Sequence, residues 1–306
     1  MAVEGGRGMQ VVVAGASGFI GQRLVREALA QGHDVFALMR VDCSATIDWE
    51  PDSAGSLTTL PWGADPEVLE QGFSLPRGAW VINAAGLRRE RPGLDPDKVH
   101  ETICNTVVEL AEALEASRLV HLGPLQGRHG DAFSRGKALM ERRVQESKVP
   151  WSIVRSAPVY GPGDELLDGI GVWMASSPLL PRFLEAVPLQ PLWVGDLATG
   201  LLRSREGVQE VGGERILWGE LLEKCAEAAG KRLMGPVLPE STILRFARTF
   251  GHRSLFTDLV PFTEAGVLRH SHGYEVAQND LPGMLGGPPR SLEDYLRAEW
   301  PYRYKK

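Results

Sequence analysis

Three glycines spaced three apart, Gly15, Gly18 and Gly21, punctuate the stretch QVVVAGASGFIG at residues 10–21. The chemistry open to them is anion binding. Ahead of them Val11-Val12-Val13-Ala14 reads as a strand buried on both faces. Behind them GQRLVREALAQG, with Leu24, Val25, Ala28 and Leu29 at helical spacing, reads as an amphipathic helix. Between a strand and a helix, glycine permits positive φ, lets backbone N–H groups approach a pyrophosphate and lets the helix pack close to the strand. The pyrophosphate then rests on the helix N-terminus, where unpaired N–H groups and the helix dipole favour negative charge. Ser17, Phe19 and Ile20 complete the candidate dinucleotide cradle. Such turns also join strands to helices without a ligand, but the flanking pattern here supplies the context that the nucleotide motif requires.

The elements that position this turn follow along the chain. HDVFALMR reads as a second strand ending at Arg40. An acidic residue there would bind the ribose hydroxyls of NAD, whereas a cation suits a 2′-phosphate; Arg40 therefore points to NADP(H) over NAD(H), the alternative being a solvated strand end. Residues 56–63 read as a third strand and 65–73 as a short helix. AWVINAAG is a fourth strand, ending in Asn83, Ala84, Ala85 and Gly86, whose small side chains leave room for adenosine and its ribose. A tightly packed strand end would favour the same residues. A helix over 97–116, with Val99, Ile103, Val107, Leu110, Ala111 and Leu114 on one face, precedes a fifth strand, RLVHLG. This alternation predicts an α/β fold: a right-handed, doubly wound parallel sheet of Rossmann type with a smaller C-terminal α/β lobe. The expected organisation is a leader over 1–8, a nucleotide-binding domain over 9–163 and the lobe over 164–306, with 188–204 packing back on the Rossmann core.

The G-x-x-G-x-x-G spacing with Ser17, Phe19 and Ile20, the Asn83-Ala84-Ala85-Gly86 segment and WSIVRSAPVYGPGD at 151–164 resemble the short-chain dehydrogenase/reductase superfamily. The likeness is to its extended and atypical branches, the NAD-dependent epimerase/dehydratase type. That resemblance implies a Ser or Thr at the end of strand five and a Tyr-x-x-x-Lys helix beyond it. Lys137, in SRGKALMERRV, matches the lysine and is implied to hold the nicotinamide ribose. Phe133 stands where the tyrosine belongs, and Gly123 and Pro124 take the serine position. In such enzymes the tyrosine is the general acid/base, and loss of such a group typically lowers the rate by ~10²–10⁴-fold. Ser134, in a shifted register, and Tyr160, in the V-Y-G-P-G turn at the cofactor end, are the hydroxyls that could substitute. The resemblance makes Tyr160 an ordinary part of that turn. The order of the C-terminal pieces resembles the atypical branch containing the NADPH-binding accessory subunit of respiratory complex I and its bacterial relatives. The resemblance implies tight cofactor binding without turnover.

The remaining residues exclude more than they suggest. At 306 residues and 43% hydrophobic the chain is an ordinary globular sequence, and its net charge of −6 offers no footprint for nucleic acid. Three cysteines without a C-x-x-C pair suit a reducing compartment, so the cytoplasm is the default location, or the periphery of a membrane complex. No run approaches the ~18 apolar residues of a membrane span. His121 reads as a core histidine, His129 as a surface residue, and His270 with His272 lack a third ligand, so no metal site is expected. Residues 165–187 are apolar enough to line a substrate cleft, and Asp196 reads as a helix cap. Residues 241–256 place Ile243, Leu244, Phe246, Ala247 and Phe250 near Arg245, Arg248 and Arg253. Such a basic amphipathic segment packs on a core or docks on a protein or anionic membrane surface.

Two functional readings stay open. In the first, the chain is a nucleotide-bound structural or regulatory protein in or for a larger complex. In the second, it is an active reductase or sugar-nucleotide epimerase/dehydratase with a displaced proton donor.

Overall fold

In the computed structural model the described residues are 8–40, 54–62, 75–86, 96–125, 140–164, 166–176, 182, 184–233, 235–250 and 273–302. The chain forms two compact units, residues 1–155 with 197–209, and residues 156–196 with 210–306.

The first unit is built on a seven-stranded sheet. Its strands are β1 (Gln10–Ala14), β2 (Asp34–Arg40), β3 (Leu57–Trp62), β4 (Trp80–Asn83), β5 (Arg118–Pro124), β6 (Trp151–Ser156) and β7 (Gly207–Val211). The order is β7-β6-β5-β4-β1-β2-β3. β1 pairs in parallel with both β2 and β4, and the β2–β3 and β4–β5 pairs are parallel too. Strand order therefore reverses at β1, the place where doubly wound sheets open a crevice for a ligand at the carboxyl ends of their strands. Val11, Val12, Val13 and Ala14 are fully buried, as a strand covered on both faces must be. Helix α1 (Phe19–Ala30) buries Leu24, Val25, Ala28 and Leu29. Helix α2 (Pro96–Ala113) buries Val107, Leu110 and Ala111 in the cluster that holds Val81 and Leu119.

In the second unit, helix α3 (Leu166–Ser176) buries Leu166, Leu167, Ile170 and Met174. The apolar stretch expected to line a cleft is thus largely core here, since a helix apolar on most of its circumference is buried. Asp164, itself 2% exposed, fastens the start of α3: its Oδ2 accepts from Gly161 N at 3.0 Å and its Oδ1 from Leu167 N at 2.6 Å. Helix α4 (Val194–Leu202), whose residues from Leu197 onward belong to the first unit, carries Asp196 in its first turn, and the Asp196 Oδ2 accepts from Arg290 N at 2.6 Å, tying down a distant segment. Helix α5 (Trp218–Ala228) is followed by Gly230 in the left-handed region, as a C-terminal glycine should be. Helix α6 (Glu240–Phe250) buries Ile243 and exposes Arg245. Helices α7 (Leu281–Leu285) and α8 (Leu292–Ala298) end the described chain, the latter capped by Ser291 Oγ accepting from Glu293 N.

Asp164→Ala strands two amide donors in a buried position. The expected loss is about 2–3 kcal/mol of unfolding free energy, measured by urea denaturation, without loss of the nucleotide-unit fold.

Candidate nucleotide-binding site

The glycine turn is defined by approaches that no side chain would permit. Gly15 has φ +81°, and a Cβ on it would lie 2.7 Å from Ala85 Cα and 2.8 Å from Ala85 N. A Cβ on Gly21 would stand 2.0 Å from Gly15 O and 2.9 Å from Ala16 Cα. The first requirement seats the β1–α1 turn on the end of β4, and the second presses the first turn of α1 onto β1. Gly18 N donates to Gly15 O at 3.0 Å, and Gln22 Nε2 donates to Ser17 O at 3.1 Å, which closes the turn internally.

Gly18 is the N-cap of α1, is exposed, and offers no side-chain acceptor; the first turn of the helix holds no acidic residue. The amides of Phe19, Ile20 and Gly21 therefore lie at a helix N-terminus whose partial positive charge neither the N-cap nor the first turn neutralises. That arrangement accepts an oxyanion through backbone N–H groups.

At the end of β4, Ala84 N donates to Ala14 O at 3.0 Å, and Asn83 Oδ1 accepts from Ala85 N at 3.1 Å. Asn83 is 1% exposed, and its Nδ2 has no hydrogen-bond partner among the described residues. The side chain thus shapes the Ala84-Ala85-Gly86 bend from below, while Ala84 and Ala85 are half-buried and Gly86 is exposed. Gly15, Ser17, Gly18, Phe19, Ile20, Gly21, Asn83, Ala84, Ala85 and Gly86 are accordingly brought together at the carboxyl ends of β1 and β4. Arg40 ends β2, in register with Trp62 of β3.

The end of β5 holds what motif reading missed. Gly123 is buried, and a Cβ on it would lie 2.6 Å from Glu141 Oε1. Glu141, in helical backbone at 140–145 and 8% exposed, is gripped by Arg155 of β6. Nε lies 3.2 Å from both carboxylate oxygens and Nη2 lies 2.7 Å from Oε2. Arg155, the one charge in the strand Trp151–Ser156, was the available signal; Glu141 stands beside Arg142 and Arg143 and does not stand out. His121, also fully buried, pairs in register with Asn83.

Tyr160 belongs to the second unit. It is fully buried, its OH donates to Arg290 O at 3.0 Å, and its ring lies 5.8 Å from Trp193 and 5.3 Å from Tyr295. Burial, then the neighbouring Asp196 carboxylate, push its phenol well above the ordinary range. Arg290 stacks 4.3 Å over Trp193 and clasps the cluster from outside. Lys137, Phe133, Ser134, His129, His270 and His272 lie outside the described residues, as does the Arg40 side chain. Among the described residues no three His, Cys, Asp or Glu side chains gather as a metal site, and no helix is long and apolar enough to cross a membrane.

Comparison with known proteins agrees with this geometry. The family model for the NAD dependent epimerase/dehydratase family matches residues 11–124. The chain is 25% identical over 261 residues to NADH dehydrogenase [ubiquinone] 1 alpha subcomplex subunit 9, mitochondrial, of Dictyostelium discoideum, covering 79% of this chain and 72% of that protein. It is 28% identical over 309 residues to the ceramide reductase of Caulobacter vibrioides, covering 95% of each. Among solved structures it resembles the Thermus thermophilus UDP-glucose 4-epimerase in complex with NAD, at 25% identity and a TM-score of 0.57, over 76% of this chain and 86% of that one. With the glycine turn set on a doubly wound sheet, these matches make residues 11–124 similar to the NAD dependent epimerase/dehydratase family.

Proposed function

We propose that this chain binds a nicotinamide dinucleotide, with NADP(H) favoured over NAD(H), and serves mainly as a nucleotide-bound structural or regulatory protein. The observation that carries the binding reading is the open N-terminus of α1. A pyrophosphate bridging Gly15 to Gly21 would receive the amides that Gly18 leaves without a cap. Ala84, Ala85 and Gly86 would border the adenosine half, Arg40 would meet the 2′-phosphate, and Lys137 would hold the nicotinamide ribose. Tyr160, with its hydroxyl already donated to Arg290 O, would serve by shaping the V-Y-G-P-G turn rather than by touching the cofactor through its OH.

The nicotinamide, when bound, supplies hydride chemistry, and such chemistry on a carbonyl needs a proton handed over beside it. Gly123 and Phe133 remove both hydroxyls that the family pattern would use, which supports the non-catalytic reading. The relative named as a subunit of NADH dehydrogenase supports a place in or beside a larger complex. A second reading is favoured by the match over 95% of both chains to a protein named ceramide reductase. There the chain would be a reductase of a lipid substrate of that class, with Ser134 as the candidate proton donor.

Thermal unfolding of nucleotide-free protein with each of NADPH, NADP⁺, NADH and NAD⁺ tests the binding reading. Ligand at 100 times its Kd adds about 2.7 kcal/mol. For a chain of this size the Tm should rise by about 5 °C. The phosphorylated pair should give the larger shift, and Arg40→Ala should erase the difference. No shift with any of the four contradicts the reading.

Turnover separates the two roles. The first predicts no NADPH oxidation with ceramide-class lipids, quinones or simple carbonyls, and a gain on Phe133→Tyr. The second predicts lipid-dependent oxidation that falls ~10²-fold or more in Ser134→Ala.

A further inference from the structure

The ion pair at the end of β5 is more than a filler for an absent side chain. Arg155 divides its attention unequally: Oε2 of Glu141 receives Nη2 at 2.7 Å and Nε at 3.2 Å, whereas Oε1 receives only Nε at 3.2 Å. Oε1 is also the oxygen that faces Gly123, 2.6 Å from where a Cβ would stand, so β5 places no side chain over it. A carboxylate held by a guanidinium is an acceptor only, with about four lone-pair sites shared between its oxygens. Oε1 therefore keeps capacity for another donor.

Its place in the sheet says which donor. A doubly wound sheet splits a dinucleotide between its two halves, at the carboxyl ends of the strands on either side of the reversal. The open helix terminus and the end of β2 lie with one half. Gly123, Glu141 and Arg155 lie with the other, at the ends of β5 and β6. A hydroxyl on β5 would be both donor and acceptor. Here that place is taken by an oxygen that can only accept, and the groups a second nucleotide half has to donate are ribose hydroxyls.

We propose that Glu141, oriented by Arg155 and uncovered by Gly123, determines specificity for the nicotinamide half of the dinucleotide by accepting a hydrogen bond from a ribose hydroxyl of that half. The proposal rests on the dinucleotide reading above. Arg155 is the positioning residue, and Gly123 is required because any side chain there displaces Oε1.

The test is equilibrium binding of NADPH and of its adenine half alone, adenosine 2′,5′-bisphosphate, to the purified full-length protein. Wild type should bind NADPH more tightly than the fragment. Gly123→Ala, which covers Oε1 while leaving both charges in place, should weaken NADPH about tenfold and leave fragment affinity unchanged. Removing Glu141 alone takes the carboxylate from a guanidinium whose side chain is only 25% exposed, so the second variant is Glu141→Leu with Arg155→Met, which removes both charges and the accepting oxygen together. It should show the same selective loss with a Tm close to wild type. If both variants keep the wild-type ratio of NADPH to fragment affinity, Glu141 has no such role although the nucleotide site stands. If wild type binds neither compound, the dinucleotide reading falls and this inference falls with it.

Discussion

The nucleotide unit depends on one steric constraint, the contact of the β1–α1 turn with the end of β4. Gly15 touches the backbone of Ala85 so closely that a methyl group would overlap it, and Gly21 lies as closely against Gly15. These two approaches set the angle at which α1 leaves the sheet and bring its N-terminus to the crevice where strand order reverses. The hydrogen bonds Ala84 N to Ala14 O and Ala85 N to Asn83 Oδ1 hold the other wall at the same distance. A helix N-terminus without an acidic first turn, set beside the end of β4, is then a consequence of packing and suits a pyrophosphate.

The far half of the crevice follows a different rule. There the glycine at 123 admits a carboxylate, and that carboxylate is stable in a buried place only because Arg155 meets it with paired contacts. A buried ion pair adds little net stability, since desolvation offsets most of the attraction, while losing one partner is expensive. The carboxylate thus fills the place beside Gly123. In the second unit the same economy of polar groups appears around Arg290, whose backbone N and O are taken by Asp196 and Tyr160 while its guanidinium lies over Trp193.

What the sequence made legible was what depends on neighbours in the chain. The apolar run before Gly15, the helical spacing after it and the alternation of strands and helices carried the sheet and the strand ends that frame the crevice. Gly123 stood out as a departure, but nothing near it in the chain announced that Glu141, 18 residues on, would fill its place, because that pairing arises only when the helical backbone at 140–145 packs across β5 and β6. Asp196 looked like a cap for its own helix, and its bond to Arg290 spans 94 residues. The apolar stretch from Leu166 looked like a cleft wall, yet composition cannot distinguish a lining from a core, and α3 buries Leu166, Leu167, Ile170 and Met174. Tyr160 carried the right residue type for the cofactor end, but its hydroxyl is used by the fold.

The most direct measurement of the central claim is calorimetric titration of NADPH into Gly18→Asp. Gly18 already has the extended backbone of an N-cap, with φ −81° and ψ 166°, so aspartate there can cap α1 and place a negative charge where the pyrophosphate is to sit. The account predicts effects of opposite sign: ligand-free protein as stable as wild type or more so by about a few tenths of a kcal/mol, and NADPH affinity lowered by about 100-fold or more as like charges meet at a site built for one. An undiminished affinity in Gly18→Asp would show that the α1 N-terminus does not hold the nucleotide.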